Sequence, residues 1–200
     1  MSHGETHPHP EVLYYHIVKD SIELAKIEKD NFKRIQAITT SLVFSALCLE
    51  AFINQEYSKA FTGKDLKKKE SWSIKNKWLE LPRSLGSPES FKTDDEPFTT
   101  FKDIIYTRNN RLVHFKPWDE KWSSGKSPKE KEYWGNLVGD IRCAERYLKC
   151  VEEMIQELNR LTHGKTTDKD SFLREGRYVS RVWSSSGVHI ESLSGVKSKP

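Results

Sequence analysis

The stretch from Phe32 to Phe61, FKRIQAITTSLVFSALCLEAFINQEYSKAF, contains neither glycine nor proline, and its middle is apolar nearly all round. So long a run without a breaker reads as one helix, and a helix apolar on every side has to be surrounded by other elements. It predicts the central helix of an all-α domain. Neighbours for it can be read on both sides. After Pro10, residues Tyr14, Ile17, Val18, Ser21, Leu24 and Ala25 fall on one helical face, giving a helix over 11–29. Gly63 and KDLKKKE end the central helix, with Lys67 to Lys69 read as a solvated face. SWSIKNKWLEL forms a shorter helix behind Ser71, stopped by Pro82. Residues 83–97 have loop composition. The next helix begins near Pro97, a residue tolerated at a helix start, and ends by Pro117.

From Tyr133 to about His163 the apolar residues keep a heptad: Trp134 and Leu137, Ile141 and Ala144, Leu148 and Val151, Ile155 and Leu158. Such a seam needs a partner, which short connections can supply from the same chain; a coiled-coil dimer is the alternative. The expected fold is therefore all-α, an antiparallel up-and-down bundle of four to five helices. Residues 1–10 read as a flexible tail, 11–163 as the helical domain, and 164–200 as an irregular or β-hairpin tail in which RYVSRVW and GVHIESL flank SSS. A chain of 200 residues suits one domain.

Charge and cysteine content bound the function. A net charge of +4, spread along the chain, permits a polyanionic partner without demanding one. No run of eighteen consecutive apolar residues and no apolar leader are visible, so a cytoplasmic protein without a membrane partner is expected. Cys48, Cys143 and Cys150 are odd in number and lie in helical patterns, which reads as packed thiols rather than a disulfide or zinc site. His3, His7 and His9 can chelate a metal loosely, but the reading expects a polar tail there and no metal or other cofactor.

TRNNRLVHFKPW, from Thr107 to Trp118, places an Arg, an Asn and a His close together. With ten Arg and seven His in 200 residues, an Arg followed at this spacing by a His arises about once by chance, so context has to decide. Phe101, Ile104, Ile105, Arg108, Leu112 and Phe115 share one helical stripe, which puts the Arg108 guanidinium on an apolar face. It then needs a carboxylate, backbone carbonyls or a ligand anion. Glu50, stranded in ALCLEAFIN, can be that carboxylate, making an ion pair between two helices. His114 falls on the other side of the stripe, near Thr107, Asn110 and Arg111, because six residues of ideal helix turn through about 120°. The functional alternative is RNA cleavage. There the 2′-hydroxyl is the nucleophile, a His transfers the proton, and an Arg holds the charge building on phosphorus.

This segment resembles the signature of the HEPN superfamily, an Arg followed by a polar residue and, a few positions on, a His: here Arg108, Asn109 and His114. LEAFIN, KWLELP and FKDIIYTRNNRLVHFKP stand in the order of HEPN segments, so the resemblance covers roughly residues 11–160. It implies a helical bundle that forms a homodimer with two motifs in one cleft. It also implies a metal-independent endoribonuclease of toxin or defence type, acting on RNA and held by a cognate antitoxin. His114 would be the general acid or base, Arg108 the phosphate contact and Asn109 a positioning group. Glu50, Asn54, Asn110, Arg111 and Lys116 would be RNA-binding or supporting residues. Two alternatives stay open: a catalytically silent HEPN-fold dimer that binds RNA or protein, and an adaptor that docks a partner through the heptad seam.

Overall fold

Pro10 occupies the first turn of α1 (Pro10–Ile27), where its missing N–H costs no hydrogen bond. A computed structural model describes residues 9–113 and 139–174, and among these residues the chain is all-α with no strand. Asp30 caps α2 (Asn31–Ala60) by accepting from the Lys33 N–H at 3.0 Å, and 30 residues without a breaker then run for about 45 Å. α1 folds back along α2: the connection lies at 28–30, Tyr14 meets Phe44, and the Cys48 thiol donates to the Glu11 carbonyl.

Where the sequence pattern suggested only a helix end after Ala60, a short separate helix forms, α3 (Gly63–Glu70), with Lys67 and Lys68 exposed. Ser73 caps α4 (Ile74–Ser84) through the Asn76 N–H. Pro82, expected to stop this helix, lies inside its last turn, where it removes only one backbone donor. The stop comes later. Gly86, at φ +87°, lets the Ser87 N–H reach the Pro82 carbonyl and its own N–H the Arg83 carbonyl, which satisfies the terminal carbonyls.

α2 packs against α1, α4 and α5 (Phe98–Thr107), and against the last long helix, α6 (Ile141–Leu161). It is long and apolar enough to cross a membrane by length and composition, but here half of that apolar stretch is buried, with Ile38, Leu42, Leu49, Phe52 and Ile53 in the core and Phe32 and Ile35 exposed. Aromatic rings tie the layers together: Phe52 stacks on Trp78, and Trp78 meets Phe91 and Phe101.

The seam on α6 differs from the expected heptad. Ala144, Tyr147, Cys150, Val151, Met154, Ile155, Leu158 and Leu161 are buried, while Ile141 and Leu148 are only partly so; Trp134 and Leu137 lie outside the described residues. α1, α2 and α5 all touch this helix, so its buried stripe is wider than a two-position seam. Tyr147 can join the stripe because its hydroxyl has partners, donating to Asp103 Oδ2 at 2.9 Å and lying 3.1 Å from Thr107 Oγ1.

Part of the segment after Gly164 belongs to this core. His163 and Gly164, at φ +53° and +78°, close α6 and turn the chain back. The buried Glu56 carboxylate then accepts from the Thr167 N–H at 3.2 Å, the Thr167 hydroxyl at 2.8 Å and Lys59 at 2.8 Å. A helical turn over 169–174 inserts Phe172 between Tyr15 and Phe52. The pattern read as two strands beyond it lies outside the described residues.

Glu152 of α6 accepts from the Tyr15 hydroxyl at 2.6 Å and pairs with Lys169 at 2.9 Å. Burial pushes its carboxyl up, but the hydrogen bonds from Tyr15 and Lys169 outweigh burial and hold it below the usual range. A folded-state value below the unfolded one gives stability that is present above about pH 4.3 and lost as pH falls through the lower folded value. Glu152→Gln is therefore expected to destabilise the protein by about 1 kcal/mol at pH 7, allowing for partial exposure. The gap should narrow as pH falls below about 4.3, as read from urea unfolding across that range.

Candidate functional site

α5 is anchored by Phe98, Phe101 and Ile104, all fully buried, and its last residue, Thr107, is buried against Tyr147. Thr107 thus faces inward, not the polar side expected for it. At Arg108 the α-helix gives way to a π-helical segment, Arg108–Val113. The Arg108 N–H bonds to the Ile104 and Ile105 carbonyls together, and the Asn110 amide donates to the Tyr106 carbonyl at 3.2 Å. A π turn closes its hydrogen bond one residue later than an α turn, so the 120° separation drawn for an ideal helix does not carry into this segment. No residue pattern in RNNRLV announces such a turn.

The Arg108 side chain is 22% exposed. Its Nη2 forms an ion pair with Glu50 Oε2, and its Nη1 donates to Asn109 Oδ1 at 3.0 Å. The guanidinium on the apolar stripe has therefore met a carboxylate, one of the partners its position allowed. Its plane is fixed from two sides, and it keeps further N–H groups for an anion.

Glu50, Arg108 and Asn109 come together. Asn54 stands one turn further along α2, with its Oδ1 accepting from Lys77 Nζ at 2.8 Å. Asn110 serves its own helix. His114 and Lys116 lie outside the described residues, as do the Arg111 side chain and Phe115, and His3 and His7 at the N-terminus.

The Glu50 side chain is 39% exposed, so the pair is open to water and screened. Glu50→Gln is expected to cost about 1 kcal/mol or less, against about 3 kcal/mol or more for breaking a fully buried pair. Chemical denaturation of the two proteins measures it. A loss near the larger figure would make Arg108 a structural clamp.

Sequence reasoning missed a second polar cluster behind this site. Asp103 accepts from Arg146 at 2.7 Å and from Tyr147 at 2.9 Å, and Tyr147 reaches Thr107, which braces the end of α5 against α6. Burial pushes the Tyr147 hydroxyl and the Cys150 thiol well up from their ordinary values, so both stay protonated and act in packing. Cys48, Cys143 and Cys150 are free thiols, and no cluster of three or more His, Cys, Asp or Glu able to hold a metal occurs among the described residues.

The arrangement can do one chemical thing directly: present an oriented, part-exposed guanidinium to an oxyanion. No family model, curated protein or solved structure matches this chain. The residues themselves carry the functional reading.

Proposed function

We propose that the chain is a HEPN-type endoribonuclease of toxin or defence kind, with its helices in an antiparallel up-and-down bundle. It acts as a cytoplasmic homodimer and cleaves RNA by 2′-hydroxyl attack without a metal, under the control of a cognate antitoxin. The observation that carries this reading is the placement of Arg108. It opens a π-helical segment, a rare geometry found often at functional sites, and Glu50 and Asn109 fix its guanidinium while leaving it open to solvent. In the reaction Arg108 contacts the phosphate as charge builds on its oxygens, Asn109 sets the guanidinium plane, and His114 transfers the proton.

The purified protein should cut a single-stranded RNA in the presence of EDTA, leave 2′,3′-cyclic phosphate ends, and spare the same sequence made with 2′-deoxy sugars. His114→Ala should remove the cleavage. Undiminished cleavage by that variant would refute the catalytic assignment.

A second reading has its own support. The Glu50 carboxylate neutralises Arg108, as it would in a silent HEPN-fold dimer that only binds RNA or protein. A protein that binds RNA oligonucleotides but leaves them intact would favour it.

A further inference from the structure

A pocket of about 290 Å³ opens between α2, α3 and α4, with Asn54, Tyr57, Ser58, Lys69, Glu70 and Lys77 on its walls. Lys77 is 8% exposed, yet its ammonium meets only neutral oxygens, Asn54 Oδ1 at 2.8 Å and the Glu70 carbonyl at 3.0 Å. Two of its three N–H donors are used, and the charge is left uncompensated. Buried lysines are rare unless paired with an anion. Lys69 shows the same pattern. Its ammonium lies 4.4 Å from the Phe61 ring centroid and 4.5 Å from that of Trp72, and 3.4 Å from Ser84 Oγ. Aromatic faces hold a cation in place without cancelling its charge. Among the described residues no carboxylate lies within ion-pair distance of either ammonium, the exposed Glu70 side chain included.

From this geometry we infer that the pocket binds an oxyanion, specifically a phosphate group of the RNA chain next to the one held by Arg108. The second half of that statement rests on the RNA-cleaving reading above. Asn54, which holds Lys77, and Glu50, which holds Arg108, are four residues apart on α2 and so lie on one face of it. They are about 6 Å apart along the helix axis. A strand laid across that face would place one phosphate at Arg108 and a neighbouring one at Lys69 and Lys77. Exposed Lys64, Lys67 and Lys68 of α3 extend the positive surface beyond it. The cavity suits a phosphate with part of its sugar, since sites for larger ligands start at about 300 Å³.

Two arms test the site, using the intact protein, Lys69→Gln, and Lys77→Met checked for native helicity by circular dichroism. Inorganic phosphate at millimolar concentration should raise the melting temperature of the wild type and have little effect on either variant. In fluorescence anisotropy with a 2′-O-methyl RNA oligonucleotide, Lys69→Gln should weaken binding about tenfold. It should also reduce the slope of log K against log salt by about 0.7, the value for one lost phosphate contact on a single strand. Its cleavage should show a raised KM with kcat unchanged. A phosphate effect lost in the variants, in a protein that neither binds nor cuts RNA, keeps the anion site and assigns it to a free phosphate compound. An RNA-cleaving protein whose variants match the wild type in phosphate response, KM and salt slope overturns the site and leaves the nuclease reading standing.

Discussion

On the proposed RNA-cleaving function, Arg108→Lys is expected to lower the rate of cleavage by about 10²–10³-fold with little change in stability. The guanidinium is held in two directions at once, Nη2 to Glu50 and Nη1 to Asn109, so its remaining N–H groups point along fixed lines. A lysine keeps the charge and can still reach Glu50. It cannot satisfy Asn109 and Glu50 while also presenting a planar pair of donors to a phosphate. The loss should therefore fall on kcat, because charge builds on the phosphoryl oxygens only as the transition state is approached. Single-turnover cleavage of a labelled RNA measures it, alongside a urea titration to establish that folding is intact. Retention of most of the rate would mean that a point charge suffices and that the fixed plane has no catalytic part.

The largest stability effect is expected at Phe172→Ala, a loss of about 3–5 kcal/mol. Phe172 is 2% exposed and meets Tyr15 and Phe52 edge-on at 5.4 and 5.6 Å. Removing the ring would leave a cavity between α1, α2 and the turn at 169–174, lined by residues whose backbones are fixed in long helices and cannot close on it. The chain leading to Phe172 is also held by two hydrogen bonds from Thr167 to the buried Glu56 carboxylate. Collapse by sliding the segment would therefore break polar contacts as well. Urea unfolding gives the figure, and hydrogen exchange should show faster exchange at 165–174 than elsewhere. A loss under about 1 kcal/mol would mean that this segment is not part of the cooperative core.

Helix identity was legible wherever a pattern was long. The breaker-free run from Phe32 to Phe61 became α2 with ends shifted by one residue, while α4, expected behind Ser71, starts two residues later with Ser73 as its cap. What misled were signals with more than one outcome. Pro82 reads as a stop, but in a last turn it costs one hydrogen bond, and Gly86 decides the actual end. The heptad on α6 gave the helix and part of its buried face, Ala144, Val151, Ile155 and Leu158, but not its full width, because four helices contact it and Tyr147 can be buried once its hydroxyl bonds with Asp103 and Thr107.

At the candidate site, the apolar spacing of Phe101, Ile104 and Arg108 called for a carboxylate, backbone carbonyls or a ligand anion to meet the guanidinium, and Glu50 of the central helix was the carboxylate it pointed to. Periodicity and burial cost are properties of one helix and its solvent, so the sequence determined them by itself. The π turn at Arg108, the exposure left to the pair, and the uncompensated ammonium of Lys77 depend on how separate helices meet. Only the tertiary structure decided those, because the energy of a charge is set by the groups and the water that packing brings around it.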